Sequence, residues 1–123
     1  MIKVILADDE ELVRYFLRTV LEKLSYDIVA EVEKGDKLYN VMQEKQPDML
    51  SLHINMPNLS GIEFLKKYTQ EFPKTCIIIL TSAALTTLIG ESSLIGVKCF
   101  LRKDTPVDEM LKTIEKTWLE FQK

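Results

Sequence analysis

Cysteine is scarce in this sequence. Cys76 and Cys99 are the only two, and both sit in apolar runs, CIIIL and VKCFL. Two such thiols cannot staple a secreted scaffold or complete a metal knuckle without more partners, so they are read as buried and free, in a reducing compartment. Histidine is scarcer still, with His53 alone. No apolar stretch approaches the roughly 20 residues that a bilayer-spanning helix needs. The opening MIKVILADDE reaches acid within eight residues, unlike a secretory leader. A cytoplasmic chain without membrane contact is the expectation. Charge of one sign is also lacking: 16 Lys+Arg oppose 19 Asp+Glu, for a net charge of −3. That balance leaves no basic stripe for nucleic acid or an anionic membrane surface. There is no repeat, linker or low-complexity tract, so 1–123 is taken as one domain. It is long enough to bury a core without disulfides or metals.

What is present is an alternation. Residues 2–7 form a short β-branched apolar run that predicts a buried strand. The acids 8–11 then open a helix, where negative charge suits the N-terminal dipole. Its apolar stripe, Leu12, Val13, Phe16, Leu17, Val20, Leu21 and Leu24, is expected to face the core. Further strands are predicted over 26–32, 48–54, 75–80 and 97–101. Helices are predicted over 36–45 after a break at Gly35, then 61–70, 83–93, and from a Thr105 cap with Pro106 in the first turn. In that last helix Val107, Met110, Leu111, Ile114 and Trp118 share a face. Five strands separated by helices imply parallel crossovers. Near-continuous apolar strands imply a sheet covered on both sides. The predicted class is α/β, a three-layer sandwich.

In an open parallel sheet, ligands sit beyond the carboxyl ends of the strands. The first strand ends in Asp8-Asp9, the third in His53 and the fourth in Thr81-Ser82, while Arg102-Lys103 follows the fifth. Adjacent carboxylates disfavour each other's charge unless a cation compensates, and oxygen donors of this kind suit a hard divalent ion. Taken singly, an acidic helix start, a surface lysine or a strand-end threonine would be ordinary. Their joint placement is what points to a site.

ADDE at 7–10, PDMLSLHINMPNLSG at 47–61, ILTSAA at 79–84 and GVKCFLRKDTP at 96–106, with the spacing between them, resemble the receiver domain of two-component response regulators. The resemblance covers essentially the whole chain. It implies a flavodoxin-like (βα)5 fold with a parallel five-stranded sheet in the order 2-1-3-4-5. It also implies a phosphoryl group passed from a kinase histidine to an aspartate at the end of the third strand. By that resemblance Asp8, Asp9 and the backbone carbonyl of Asn55 would hold Mg²⁺. Thr81 would bond a phosphoryl oxygen, Lys103 would pair with it, and Phe100 would be the aromatic switch alongside Thr81. Met56, Pro57 and Gly61 match the loop after the acceptor strand. The implied partners are a sensor histidine kinase, an output domain, or a second copy through the fourth helix, fifth strand and fifth helix. Leu85, Leu88, Ile89, Leu94 and Ile95 lend that face apolar character.

Two residues depart from the family pattern. The acceptor position holds His53, and Asp104 stands where many receivers carry proline. RKDTP resembles receivers that precede a helix-turn-helix output domain, so DNA binding is expected only from such a domain and not from this one. Imidazole supplies no attacking oxygen and, when neutral, no negative charge, so no acyl phosphate forms at 53 and Mg²⁺ binding is weakened. Three roles for His53 are open: an imidazolium against Asp8 and Asp9 in place of the cation, a ligand for a softer metal, or a phosphorylated histidine. The overall expectation is a non-enzymatic signalling domain that works by protein contacts. One alternative is a point variant of an ordinary Mg²⁺-dependent receiver. Another is a metal-dependent phosphoryl-transfer enzyme with Asp8 as nucleophile, which would need cap and substrate loops that are missing here. A flavin or small-ligand binder would need a Gly- and Ser/Thr-rich first loop in place of ADDE.

Overall fold

The computed structural model describes residues 1–54, 56–81 and 96–123, Thr81 through its backbone. Asn55 and the predicted helix over 83–93, with the apolar residues assigned to it, lie outside the described residues. Five strands, β1 (Lys3–Ala7), β2 (Asp27–Val32), β3 (Met49–His53), β4 (Cys76–Thr81) and β5 (Cys99–Arg102), pair in parallel in the order β2-β1-β3-β4-β5. Helices α1 (Glu11–Glu22), α2 (Gly35–Lys45), α3 (Gly61–Tyr68) and a C-terminal helix (Val107–Phe121) connect or follow them. A 3₁₀ turn over Thr69–Glu71 ends α3 ahead of Pro73.

Strand side chains alternate between the two faces of the sheet, and each face has its own core. Ile5, Ala7, Leu50, Leu52, Ile77 and Ile79 face Leu38, Met42, Phe64 and Leu65 of α2 and α3. Val4, Leu6, Met49, Ile78 and Leu80 face Leu17 and Leu21 of α1 and Met110 and Ile114 of the C-terminal helix. This is the flavodoxin-like three-layer arrangement. It explains the unbroken apolar strands, since both side-chain rows are covered.

The structure corrects several local expectations. The stripe on α1 is wider than the line the sheet covers. Leu17, Val20 and Leu21 are buried, but Leu12 is 82% exposed and Phe16 38%. Helical dihedrals begin only at Glu11, so Asp8 to Glu10 form the approach to the helix and not its first turn. Gly35 opens α2 instead of interrupting the chain before it. A Cβ on it would lie 1.7 Å from the carbonyl oxygen of Leu59, so only glycine lets the loop after β3 pass this closely. Thr105 does not cap the last helix. Pro106 occupies that place with extended ψ and no side-chain bond, while the Thr105 N–H closes a turn onto the Arg102 carbonyl at 3.0 Å. Val107, in the first turn, is exposed. Cys76 is buried and free, whereas Cys99 is free and half-buried.

Candidate functional site

The strand order places a topological switch between β1 and β3: the chain leaves β1 toward β2 on one side and returns on the other. The crevice beyond the carboxyl ends of these two strands is where such sheets bind ligands. Asp8 follows β1 directly, His53 ends β3, and Lys103 follows β5.

Asp8 is held from several directions. Its N–H donates to the Val32 carbonyl at 2.9 Å, and its own carbonyl accepts from Arg14 Nη1 at 2.6 Å. Its Oδ1 accepts the Glu10 N–H at 2.9 Å, which tightens the chain before α1. The carboxylate is almost fully buried. Lys103 Nζ lies 3.1 Å from Oδ2 and 2.9 Å from Glu10 Oε1, bridging both acids. The approach to Asp8 is close enough for an ion pair but is not directed as a hydrogen bond, so Oδ2 remains a buried acceptor with none. The hydrogen bond from Lys103 and, next, its charge hold the Glu10 carboxyl below the usual glutamate range.

His53 is 7% exposed. Its Nδ1 faces the Leu80 carbonyl on the neighbouring strand at 3.3 Å, and its Nε2 faces Asp9 Oδ1 at 3.8 Å. The loop behind it is tightly folded. The Gly61 N–H donates to the Ile54 carbonyl at 2.6 Å, and Ser60 caps α3 through the Glu63 N–H. A Cβ at Gly61 would stand 2.6 Å from the His53 carbonyl oxygen, so this glycine lets α3 start directly against the end of β3.

Of the residues singled out in the sequence, Asp8, Asp9, His53 and Lys103 converge. Phe100 is half-buried and packs against the core on the α2–α3 side. Thr81 ends β4 opposite Arg102, and its side chain, like Asn55, lies outside the described residues. Arg102 is turned away, held by both carboxylate oxygens of Asp104 at 3.0 and 2.8 Å. Glu10 was missed. Its donor atom joins those of Asp8, Asp9 and His53 within 4.8 Å of one another, and the signal was the third consecutive acid. Arg14, whose guanidinium clamps the Asp8 carbonyl and pairs with Glu31 at 3.2 Å, was missed as well.

Among the described residues the pocket holds three carboxylates against one ammonium, an excess of negative charge that favours a cation. The carboxylates of Asp8 and Asp9 suit Mg²⁺. The imidazole beside them does not, because Mg²⁺ demands octahedral oxygen coordination.

The sequence matches the response regulator receiver domain family over residues 4–115. It is 34% identical over 112 residues to the transcriptional regulatory protein YhcZ of Bacillus subtilis, covering 90% of this chain and 52% of that protein. It is 28% identical to the chemotaxis protein CheY of the same organism, covering 94% of this chain and 96% of that one. The chain thus spans about half the length of the transcriptional regulator but nearly all of the chemotaxis protein. A LuxR-family two-component response regulator from Aurantimonas sp. SI85-9A1 superposes with a TM-score of 0.89 at 23% identity, over 98% of this chain and 86% of that one, a likeness of fold.

Proposed function

The chain belongs to the response regulator receiver domain family, and on that premise we propose that it is a degenerate receiver that signals through protein contacts without an aspartyl phosphate. The observation that carries this is the side chain at the end of β3. His53 is buried there, wedged between the Leu80 carbonyl and Asp9. An imidazole has no carboxyl carbon or oxygen from which to form an acyl phosphate. In this reading Thr81, Lys103 and Phe100 keep the family's places without a phosphoryl group to read. The domain has no catalytic turnover of its own. Its partners are a sensor histidine kinase, an output domain, or a second copy meeting it through β5 and the flanking helices. DNA contact, where it occurs, belongs to another domain.

A second reading is favoured by the 34% identity to YhcZ, a transcriptional regulatory protein. It would then be the receiver half of a longer transcriptional regulator in which His53 replaces an aspartate of an ordinary Mg²⁺-dependent receiver.

The test is to incubate the chain and a His53→Asp variant with acetyl phosphate or beryllofluoride and Mg²⁺, and to follow phosphate incorporation and amide chemical shifts. Only the variant is expected to respond. A response by the unmodified chain that disappears in His53→Ala would place the phosphoryl group on the imidazole and overturn the inert reading.

A further inference from the structure

The disagreement between the pocket's donors and Mg²⁺ has a chemical direction. His53 Nδ1 lies against a backbone carbonyl, which can only accept, so Nδ1 carries the proton of that contact at 3.3 Å. With Nδ1 taken up by the carbonyl, Nε2 is the ring nitrogen left facing the acids. Nε2 stands 3.8 Å from Asp9 Oδ1, beyond hydrogen-bond range. That spacing, at a residue more than nine-tenths buried, leaves room for a cation between the imidazole and the carboxylate. A histidine oriented by a carbonyl on its other nitrogen is the usual arrangement of a metal ligand. Asp8 supplies the second observation: its Oδ2 is buried and accepts no hydrogen bond, and a carboxylate oxygen has lone pairs for both a metal and the nearby Lys103.

We propose that His53 Nε2, Asp8 Oδ2 and Asp9 Oδ1 form a site for a borderline divalent transition ion, Zn²⁺ in the first instance, in preference to Mg²⁺. The spacing suits such an ion. Ligand bonds of about 2.1 Å at a tetrahedral angle put donor atoms roughly 3.4 Å apart, and the donors of Asp8, Asp9, Glu10 and His53 already lie within 4.8 Å of one another. The exposed edge of Asp9 gives the ion a way in, and solvent completes the coordination. Imidazole is the donor that turns selectivity, since it suits Zn²⁺ while two carboxylates alone suit Mg²⁺. A divalent ion would also offset the net charge of −2 left by the three acids and Lys103.

The site is tested on the untagged chain by calorimetric titration with ZnCl₂ and with MgCl₂, alongside NMR of the His53 ring. The expected result is one equivalent of Zn²⁺ bound at least about 100-fold more tightly than Mg²⁺, with the ring resonances shifting in step. His53→Ala should lose that preference, and His53→Asp should reverse it toward Mg²⁺. A Co²⁺-loaded sample should show no thiolate-to-cobalt charge-transfer band, which excludes Cys76 and Cys99 as the ligands. Equal affinity for the two ions, unchanged Zn²⁺ binding in His53→Ala, or a thiolate band would each overturn the proposal. Because the readout is binding alone, these outcomes are separate from those of the acetyl phosphate test.

Discussion

Lys103→Ala isolates the one cation that the described pocket possesses. The Asp8 side chain is 3% exposed and the Lys103 side chain 14%, so their contact at 3.1 Å is shielded from water. Removing the ammonium leaves a buried carboxylate beside two further acids. Breaking a buried pair from one side costs about 3–5 kcal/mol. The lower end applies here, because Asp8 Oδ1 keeps the Glu10 N–H at 2.9 Å. The companion contact to Glu10 lies at the surface, where such pairs contribute roughly 0–1 kcal/mol and fade with salt. The expected loss is therefore about 3 kcal/mol, read as a lower urea midpoint at constant m-value. Pairing Lys103→Ala with Asp8→Asn should restore roughly 2 kcal/mol of it, since the orphaned charge is gone. A loss under about 1 kcal/mol for Lys103→Ala, or strict additivity in the double variant, would refute the account of a buried acid held by this lysine.

Glu10, held below the ordinary glutamate range by Lys103, contributes stability that is complete above that range and is lost as pH falls through its lower folded value. Glu10→Gln should flatten that acid limb in urea melts collected across pH, and an unchanged limb would count against the pair. Burial pushes the Cys76 thiol from 9.0 up to about 12. The native chain should therefore hold this proton where the unfolded chain releases it, so stability should decline as pH rises above about 9. Cys76 should also resist Ellman's reagent until the chain unfolds, and prompt labelling of Cys76 in native buffer would contradict its burial. Leu12→Ala should leave stability within about 0.5 kcal/mol, whereas Leu17→Ala should cost about 2–5 kcal/mol. Comparable losses at both positions in paired urea melts would mean that Leu12 belongs to the core after all.

The alternation of strands and helices over the described residues, parallel pairing and the two covered sheet faces were legible in the residues, while the order β2-β1-β3-β4-β5 was implied by the family resemblance. CIIIL is apolar at every position and IKVILA at every position but Lys3, and only a sheet packed on both sides requires that. The candidate site was legible as well, because strand ends in a parallel sheet converge by topology alone. Asp8, Asp9, His53 and Lys103 could therefore be gathered from positions as far apart as 8 and 103. Which of the six apolar residues on α1 meet the sheet was not legible: periodicity reports a face, and only the packed neighbours decide how wide a strip of it is covered, which left Leu12 and Phe16 outside. The missing Thr105 cap had a similar origin, since a Ser/Thr-Pro start satisfies the pattern whether or not the side chain reaches the helix. The Lys103 bridge to Glu10 and the Leu80 carbonyl that orients His53 depend on distances between segments remote in sequence, and Arg14 reaches the Asp8 carbonyl only through the way the chain enters α1. Residue type sets what each group can donate, accept or carry as charge; only the tertiary structure brings them within the few ångströms at which those capacities act on one another.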